Sequence, residues 1–251
     1  MNQVNVICEY LGGSHSYGLS TPSSDIDIRG IYTHTDYKKV IGLDKQDHFQ
    51  IEGEDSKYRE FRSAMQLLKT GNSEMVEHLF QEDWRKINVV WTLVQKYRTR
   101  LIDSKKLFSV LRGYAQGELK LANGERTGQL GSKRKESIDK YGFSPKNFVQ
   151  LYRLLWAGSI FFEKGYFPVN VLKEDESFGK WLLEVKTKPE KFSKHTLNET
   201  ARVHEELLVQ SFENRKFDYS FDDGIANDLI CYVYAPVIVR ASLNIESSRQ
   251  F

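Results

Sequence analysis

The sequence predicts an α+β fold: a small mixed β-sheet with flanking helices, followed by a mostly helical C-terminal domain. Three observations lead there. Before residue 83, short β-rich stretches alternate with turn residues, and beyond it run long segments of helical period. Composition, at 40% hydrophobic and 13% aromatic with 17 Gly and 5 Pro in 251 residues, supports a packed core rather than disorder. No internal repeat, low-complexity tract or long linker interrupts the chain. Two domains are therefore expected to pack together, residues 1–82 and residues 83–251, the helical one closing a cleft over the sheet.

Residues 4–10 are rich in β-branched and aromatic side chains and run into Leu11-Gly12-Gly13, a strand entering a tight turn. Residues 25–32 alternate, with Ile26, Ile28 and Gly30 on one side and Asp25, Asp27 and Arg29 on the other, which predicts a second strand. A third is expected over 48–54, where Phe49 and Ile51 oppose Gln50, Glu52 and Glu54. The first helix is expected over 56–70, with Phe61, Met65 and Leu68 on one face and Gly71-Asn72 closing it. Further helices are predicted at 84–101, 105–122, 145–164, 178–185, 198–212 and 225–243, the third of these with Pro145 in its first turn and Gly165 past its end. Between them, 125–146 carries Arg126, Lys133, Arg134, Lys135, Lys140 and Lys146 against three acids, with Gly124, Gly128 and Gly131. That mixture predicts a loop over the cleft, suited to a triphosphate or a polynucleotide backbone.

Several function classes drop out. A net charge of +2 excludes a strongly basic, histone-like binder. The longest apolar run, 229–239, is interrupted by Pro236 and is shorter than the roughly 20 residues of a membrane span, so no membrane partner is expected. Residues 1–5 show no secretory signal, and Cys8 and Cys231 cannot build a disulfide framework, so a cytoplasmic location is expected. Neither a phosphate-binding P-loop, a Gly-x-Gly-x-x-Gly fingerprint, a His-Glu-x-x-His zinc motif nor a Gly-x-Ser-x-Gly elbow occurs.

One segment carries chemistry. Gly12-Gly13-Ser14 leaves the first strand, a polar loop follows, and Asp25 and Asp27 stand two apart on the next strand, facing the same way. Two adjacent anions repel unless a cation lies between them. Oxygen donors of this kind suit a hard divalent metal, Mg²⁺ above all when substrate phosphates fill its other positions. Unobstructed backbone N–H groups at Gly13-Ser14 can cradle those phosphates. Arg29, on the aspartate side, can neutralise the pair.

The Gly-Ser, spacer, Asp-x-Asp pattern resembles the signature of the DNA polymerase β-like nucleotidyltransferase superfamily. Gly13-Ser14 with Tyr17-Gly18, followed by Ser24-Asp25-x-Asp27-x-Arg29-Gly30, resembles more narrowly the bacterial and phage predicted nucleotidyltransferases associated with RNA repair. Asn72 followed by Glu77-His78-Leu79 is similar to that branch's Gly-Asn-Pro-x-x-x-Glu segment, with Ser73 in the proline's place. Tyr141-Gly142 to Lys146, and Tyr152-Arg153-Leu154-Leu155, resemble its later motifs, with Tyr152 where a histidine is common. The resemblance covers roughly residues 5 to 165.

It implies a palm-like nucleotidyltransferase sheet on which Asp25, Asp27 and a third carboxylate hold two Mg²⁺ ions, with Mn²⁺ as an alternative. It further implies transfer of a nucleoside monophosphate from an NTP to a hydroxyl with release of pyrophosphate. The acceptor is RNA or tRNA first, and a protein side chain or small molecule second. Gly13 and Ser14 would grip the phosphates, joined by Lys146 and Arg153 from the helical domain. Counting back from Asn72 places the third carboxylate on Asp55, whereas strand parity favours Glu52 and Glu54. Asp55 is the first choice, through a bulge at the strand end, and Glu54 the second. The competing class is a nucleotide- or RNA-binding module without turnover, and an interaction protein comes third.

Overall fold

A computed structural model describes residues 4–42, 47–51, 55–125 and 132–248, with the side chains of Lys133 and of 242–248 outside the description. The fold is α+β. Its chain forms two compact units: Met1–Ser16, Ser23–Asp103 and Tyr219–Phe251 make one, and Tyr17–Pro22 with Ser104–Asp218 make the other. Residue 83, where the composition changes, lies inside the first unit.

The first unit opens with β1 (Val4–Leu11), a single helical turn α1 (Gly13–Ser16), β2 (Ile28–His34), α2 (Tyr37–Ile41), β3 (His48–Phe49) and β4 (Ser56–Glu60). Then come α3 (Phe61–Lys69), α4 (Ser73–Phe80), β5 (Lys86–Ile87), α5 (Val89–Lys96) and a 3-10 turn, Arg98–Arg100. The sheet order is β3-β4-β2-β1-β5, with β2 and β4 parallel and the other pairs antiparallel. Register places Leu11, Ile28, Tyr32, Tyr58 and Phe49 on one face, where Phe49 stacks on Tyr58 with ring centroids 4.6 Å apart. Cys8, Tyr10 and Ile31 occupy the other face, all buried, with Tyr10 edge-on to both His78 and Trp84.

Four expectations need correction in this unit. Of the helix expected over 84–101 only Val89–Lys96 is α-helical, because Lys86–Ile87 pairs with Cys8 and Glu9 of β1 as a strand. The second strand begins at Ile28, not Asp25, because its ladder starts only where Leu11 and Ser56 stand opposite Ile28. The third strand shrinks to His48–Phe49, and residues 52–54 lie outside the described residues. Residues 56–60, expected as helix, form β4: Ser56, Tyr58 and Glu60 are buried while Lys57 and Arg59 are half-buried, the two-residue period of a strand. Glu60 then ends the strand and caps α3, its carboxylate accepting from Arg62 N–H at 3.0 Å and Ser63 N–H at 2.8 Å. From there Phe61, Ala64, Met65 and Leu68 bury one helix face.

The second unit contains α6 (Ser104–Ala122), α7 (Ser132–Tyr141), α8 (Pro145–Lys164), α9 (Val171–Glu174), α10 (Glu176–Thr187), a 3-10 turn Pro189–Lys191, and α11 (Lys194–Glu213). α8 packs against both α6 and α11 and buries Phe148, Leu151, Leu155, Phe161 and Phe162, and it ends where Gly165 turns left-handed at φ 79°. Residues 132–141, expected within a loop, are helical. Arg134 Nε donates to Asn147 Oδ1 at 3.1 Å, and Asn147 in turn donates to Glu118 at 2.7 Å, which ties α7 to α8 and α6. Arg126, Gly128 and Gly131 lie outside the described residues.

α12 (Asp223–Ser248) returns to the first unit. Its Tyr234 hydroxyl donates to Glu60, Asp223 pairs with Lys69 at 2.7 Å, and Asp222 just before it pairs with Arg100. Among the described residues it is the one helix long and apolar enough to cross a membrane by length and composition, over Asp223–Ala241.

Candidate functional site

The signature loop folds onto the end of the sheet. Gly12 N–H donates to Asp27 O at 2.6 Å, and Ile28 N–H donates to Asp55 O at 2.8 Å, so the residues preceding β2 are gripped from both neighbouring strand ends. The paired glycines serve different needs. Gly13 has φ 59°, a conformation L side chains rarely adopt, and a Cβ there would stand 3.2 Å from Asp27 Oδ2. At Gly12 a Cβ would stand 2.6 Å from Arg29 Cγ, so this glycine leaves room for the arginine stem. Asp27 is thus laid against bare backbone, half-buried, whereas Asp25 and Ile26 are exposed.

Asp27 Oδ1 is buried and lies 2.7 Å from Arg29 Nη1, an ion pair in which no donor is aligned well enough to make a hydrogen bond. Burial pushes the Asp27 carboxyl above its ordinary pKa. Arg29 and Lys57 oppose that rise, and the charges of Asp55 and Glu74 add to it. Glu74, in the first turn of α4, meets Lys57 Nζ at 3.3 Å, Arg29 Nε at 3.7 Å and Arg59 Nη2 at 4.0 Å. Burial alone would raise Glu74, but the His78 ring and these three cations together hold it below the usual carboxylate range. Parallel pairing explains the assembly: Arg29 faces Lys57 and Ile31 faces Arg59 in register, so β2 and β4 line up their cations beneath α4.

Gly13, Ser14, Asp27 and Asp55 therefore gather in the sheet unit, with Asp25 two residues upstream of Asp27. Glu52 and Glu54 lie outside the described residues. Lys146 and Arg153 belong to the helical unit, and the seven-residue spacing does not present them alike: Lys146 is exposed while Arg153 is buried. The Arg153 guanidinium stacks 3.6 Å from the centroid of the Tyr17 ring, and its Nε donates to Gln150 at 3.2 Å. Residues 17–22 are held in that unit by Val171 N–H donating to Tyr17 O at 3.0 Å and Lys186 Nζ donating to Leu19 O at 2.7 Å. Burial lowers the Lys186 pKa, and Lys146 adds to the effect. Tyr152, in place of the histidine common at that position, is buried and donates to Leu197 O at 2.6 Å, a packing role.

Glu74, Lys57 and Arg59 escaped the sequence reading. For the cations the missed signal is the alternation of residues 56–60; for Glu74 it is an acid just after Asn72, whose side chain caps α4 by accepting from Met75 N–H at 3.0 Å. Among the described residues no three His, Cys, Asp or Glu side chains are gathered as a metal cluster.

The model of the RNA repair pathway DNA polymerase beta family matches residues 1–220. No curated protein matches the chain. A solved structure of a nucleotidyltransferase-like protein from Exiguobacterium sibiricum 255-15 aligns with 12% identity over 84% of this chain and 69% of that chain, at a TM-score of 0.32.

Proposed function

The chain belongs to the RNA repair pathway DNA polymerase β family, and we propose that it moves a nucleoside monophosphate from an NTP to a hydroxyl of RNA or tRNA, releasing pyrophosphate. The observation that carries this reading is Asp27, whose buried Oδ1 lacks an aligned hydrogen-bond donor while Asp55 and the Gly13 turn adjoin it.

The residues present fit a divalent metal. Carboxylate oxygens are hard donors, and one buried oxygen at Asp27 has the Arg29 charge 2.7 Å away but no aligned hydrogen-bond donor. Asp25, Asp27 and Asp55 would hold two Mg²⁺ ions, with Mn²⁺ as a substitute. When bound, such ions neutralise polyphosphate charge and stabilise the charge that builds on the attacking and leaving oxygens. The chain's own residues do the rest. Gly13 and Ser14 offer backbone N–H groups and a hydroxyl to the β- and γ-phosphates, with no side chain at Gly13 to hold them off. Asp55, exposed at the mouth of β4, accepts the acceptor's hydroxyl proton as that oxygen bonds to the α-phosphorus and the bond to the pyrophosphate oxygen breaks. Lys146 remains a proposed phosphate contact of the helical unit, and Arg153 holds the Tyr17 loop. NTP and RNA as substrates favour a cytoplasmic location.

A module that binds nucleotide without turnover is the second reading, favoured by Tyr152, which is buried and bonded to Leu197 O where a histidine is common. Incubation with each labelled NTP, Mg²⁺ or Mn²⁺, and total RNA, protein or small-molecule acceptors separates the two. Label appearing on RNA and falling by about a hundredfold or more in Asp25→Ala, Asp27→Ala and Asp55→Ala supports the transferase. NTP binding with no label on any acceptor supports the module.

A further inference from the structure

We infer that Arg29 is a resident counter-cation of this site, which occupies the place at Asp27 that a divalent ion takes and passes to Glu74 when the ion arrives. This rests on the reading that Asp27 is a metal ligand.

Four observations combine. The Arg29 side chain already bridges both acids, with Nη1 2.7 Å from Asp27 and Nε 3.7 Å from Glu74. Its contact with Asp27 is charge without an aligned hydrogen bond, unlike the two-pronged fork arginine makes when it locks a carboxylate in place. Gly12 is bare where Arg29 Cγ passes, so the stem lies along backbone that no Cβ obstructs. Finally, Glu74 is kept ionised by Lys57, Arg59 and Arg29 together, and so stands ready as the second anchor.

Charge balance gives the reason for such a device. Asp27, Asp55 and Glu74 are matched by Arg29, Lys57 and Arg59. With neither metal nor Arg29, the half-buried Asp27 would lose its nearest counter-charge, which is costly. With a divalent ion bound, an arginine still at Asp27 would repel it through a medium of effective dielectric about 20. One side chain with two carboxylates in reach resolves both conditions by changing partner. A guanidinium freed from Asp27 also presents donors to a phosphate.

The test is direct Mn²⁺ binding to nucleotide-free protein, by calorimetry and by loss of the free-ion paramagnetic signal, with thermal melts to verify folding. Arg29→Gln is expected to bind Mn²⁺ about tenfold more tightly than wild type, a change of about 1.4 kcal/mol, since a competing charge is gone. Arg29→Lys keeps the charge and stays within about threefold of wild type. Should Arg29→Gln fold poorly, Arg29→Met keeps the stem against Gly12 and gives the same tightening. Glu74→Gln weakens binding in the wild-type background, because Arg29 loses its second partner, and has little further effect when Arg29→Gln is also present. That coupling separates a hand-over from a through-space charge effect, which would be the same in both backgrounds.

Unchanged or weaker Mn²⁺ binding in folded Arg29→Gln, with binding abolished by Asp27→Asn, overturns the counter-cation role and leaves the transferase reading intact. Equal Glu74→Gln effects in the two backgrounds overturn the hand-over as well. Mn²⁺ binding absent from every variant, or indifferent to Asp27→Asn, removes both.

Discussion

His78 supports the helix that carries Glu74, and its burial makes a quantitative prediction. The ring packs edge-on against Tyr10 and Trp91, with Nδ1 2.8 Å from the carbonyl of Glu74 one turn earlier and 3.1 Å from the Tyr10 hydroxyl, which can accept from it. A carbonyl can only accept, so Nδ1 carries the hydrogen and Nε2 is left as a buried acceptor without a hydrogen-bond partner. Protonating Nε2 would bury an unsatisfied charged N–H. Burial accordingly drives the pKa from 6.5 down to about 4. Between these values the unfolded chain takes up a proton that the folded chain refuses, so stability falls as pH falls through this window. The gap of about 2.5, at about 1.4 kcal/mol for each pH unit, amounts to about 3 kcal/mol lost between pH 7 and pH 4, with about 2 kcal/mol of it gone by pH 5. His78→Gln keeps a donor for the Glu74 carbonyl and does not titrate. Urea unfolding followed by fluorescence of Trp84 and Trp91, with Trp156 and Trp181 changed to Phe, reads the sheet unit. The wild type should lose about 3 kcal/mol more than His78→Gln on acidification; parallel pH profiles for the two would refute the buried neutral imidazole.

Two other perturbations probe the same unit. Gly13→Ala places a side chain at φ 59° and 3.2 Å from Asp27 Oδ2, and should cost about 1–2 kcal/mol in chemical denaturation along with most of the nucleotidyl transfer. By contrast Gly117→Ala, in α6 with nothing near its Cβ, should gain about 0.5–1 kcal/mol, so equal effects at the two glycines would contradict the argument. Tyr234→Phe removes the hydroxyl that donates to Glu60, the cap of α3. A loss of about 1–2 kcal/mol is expected in urea, and no loss would mean α12 does not brace the sheet unit.

The sequence alone was enough to read the elements whose signal is local. α8 spans the predicted 145–164, because a proline in the first turn, an apolar face and a glycine beyond the last turn all lie within the segment itself. The Gly13-Ser14 turn was legible for the same reason, its signal lying in neighbouring positions, whereas Asp25 and Asp27, expected on a strand, precede β2. Membership of the family, too, follows from residues in a row.

What sequence could not supply is whatever depends on partners remote along the chain. Ser56–Glu60 is a strand because β2 offers it a parallel edge, and a local reading that ran the helix back through it had no means of seeing that pairing. Glu74 and Lys57 act on Asp27, and Arg59 on Glu74, only through that register and the placing of α4. Likewise the last helix returns to the sheet unit through Tyr234 and Glu60, which are 174 residues apart. Periodicity reports the surroundings of one element. Pairing, charge neighbourhood and the ionisation of a buried carboxylate are properties of several elements at once, and only the folded chain decides them.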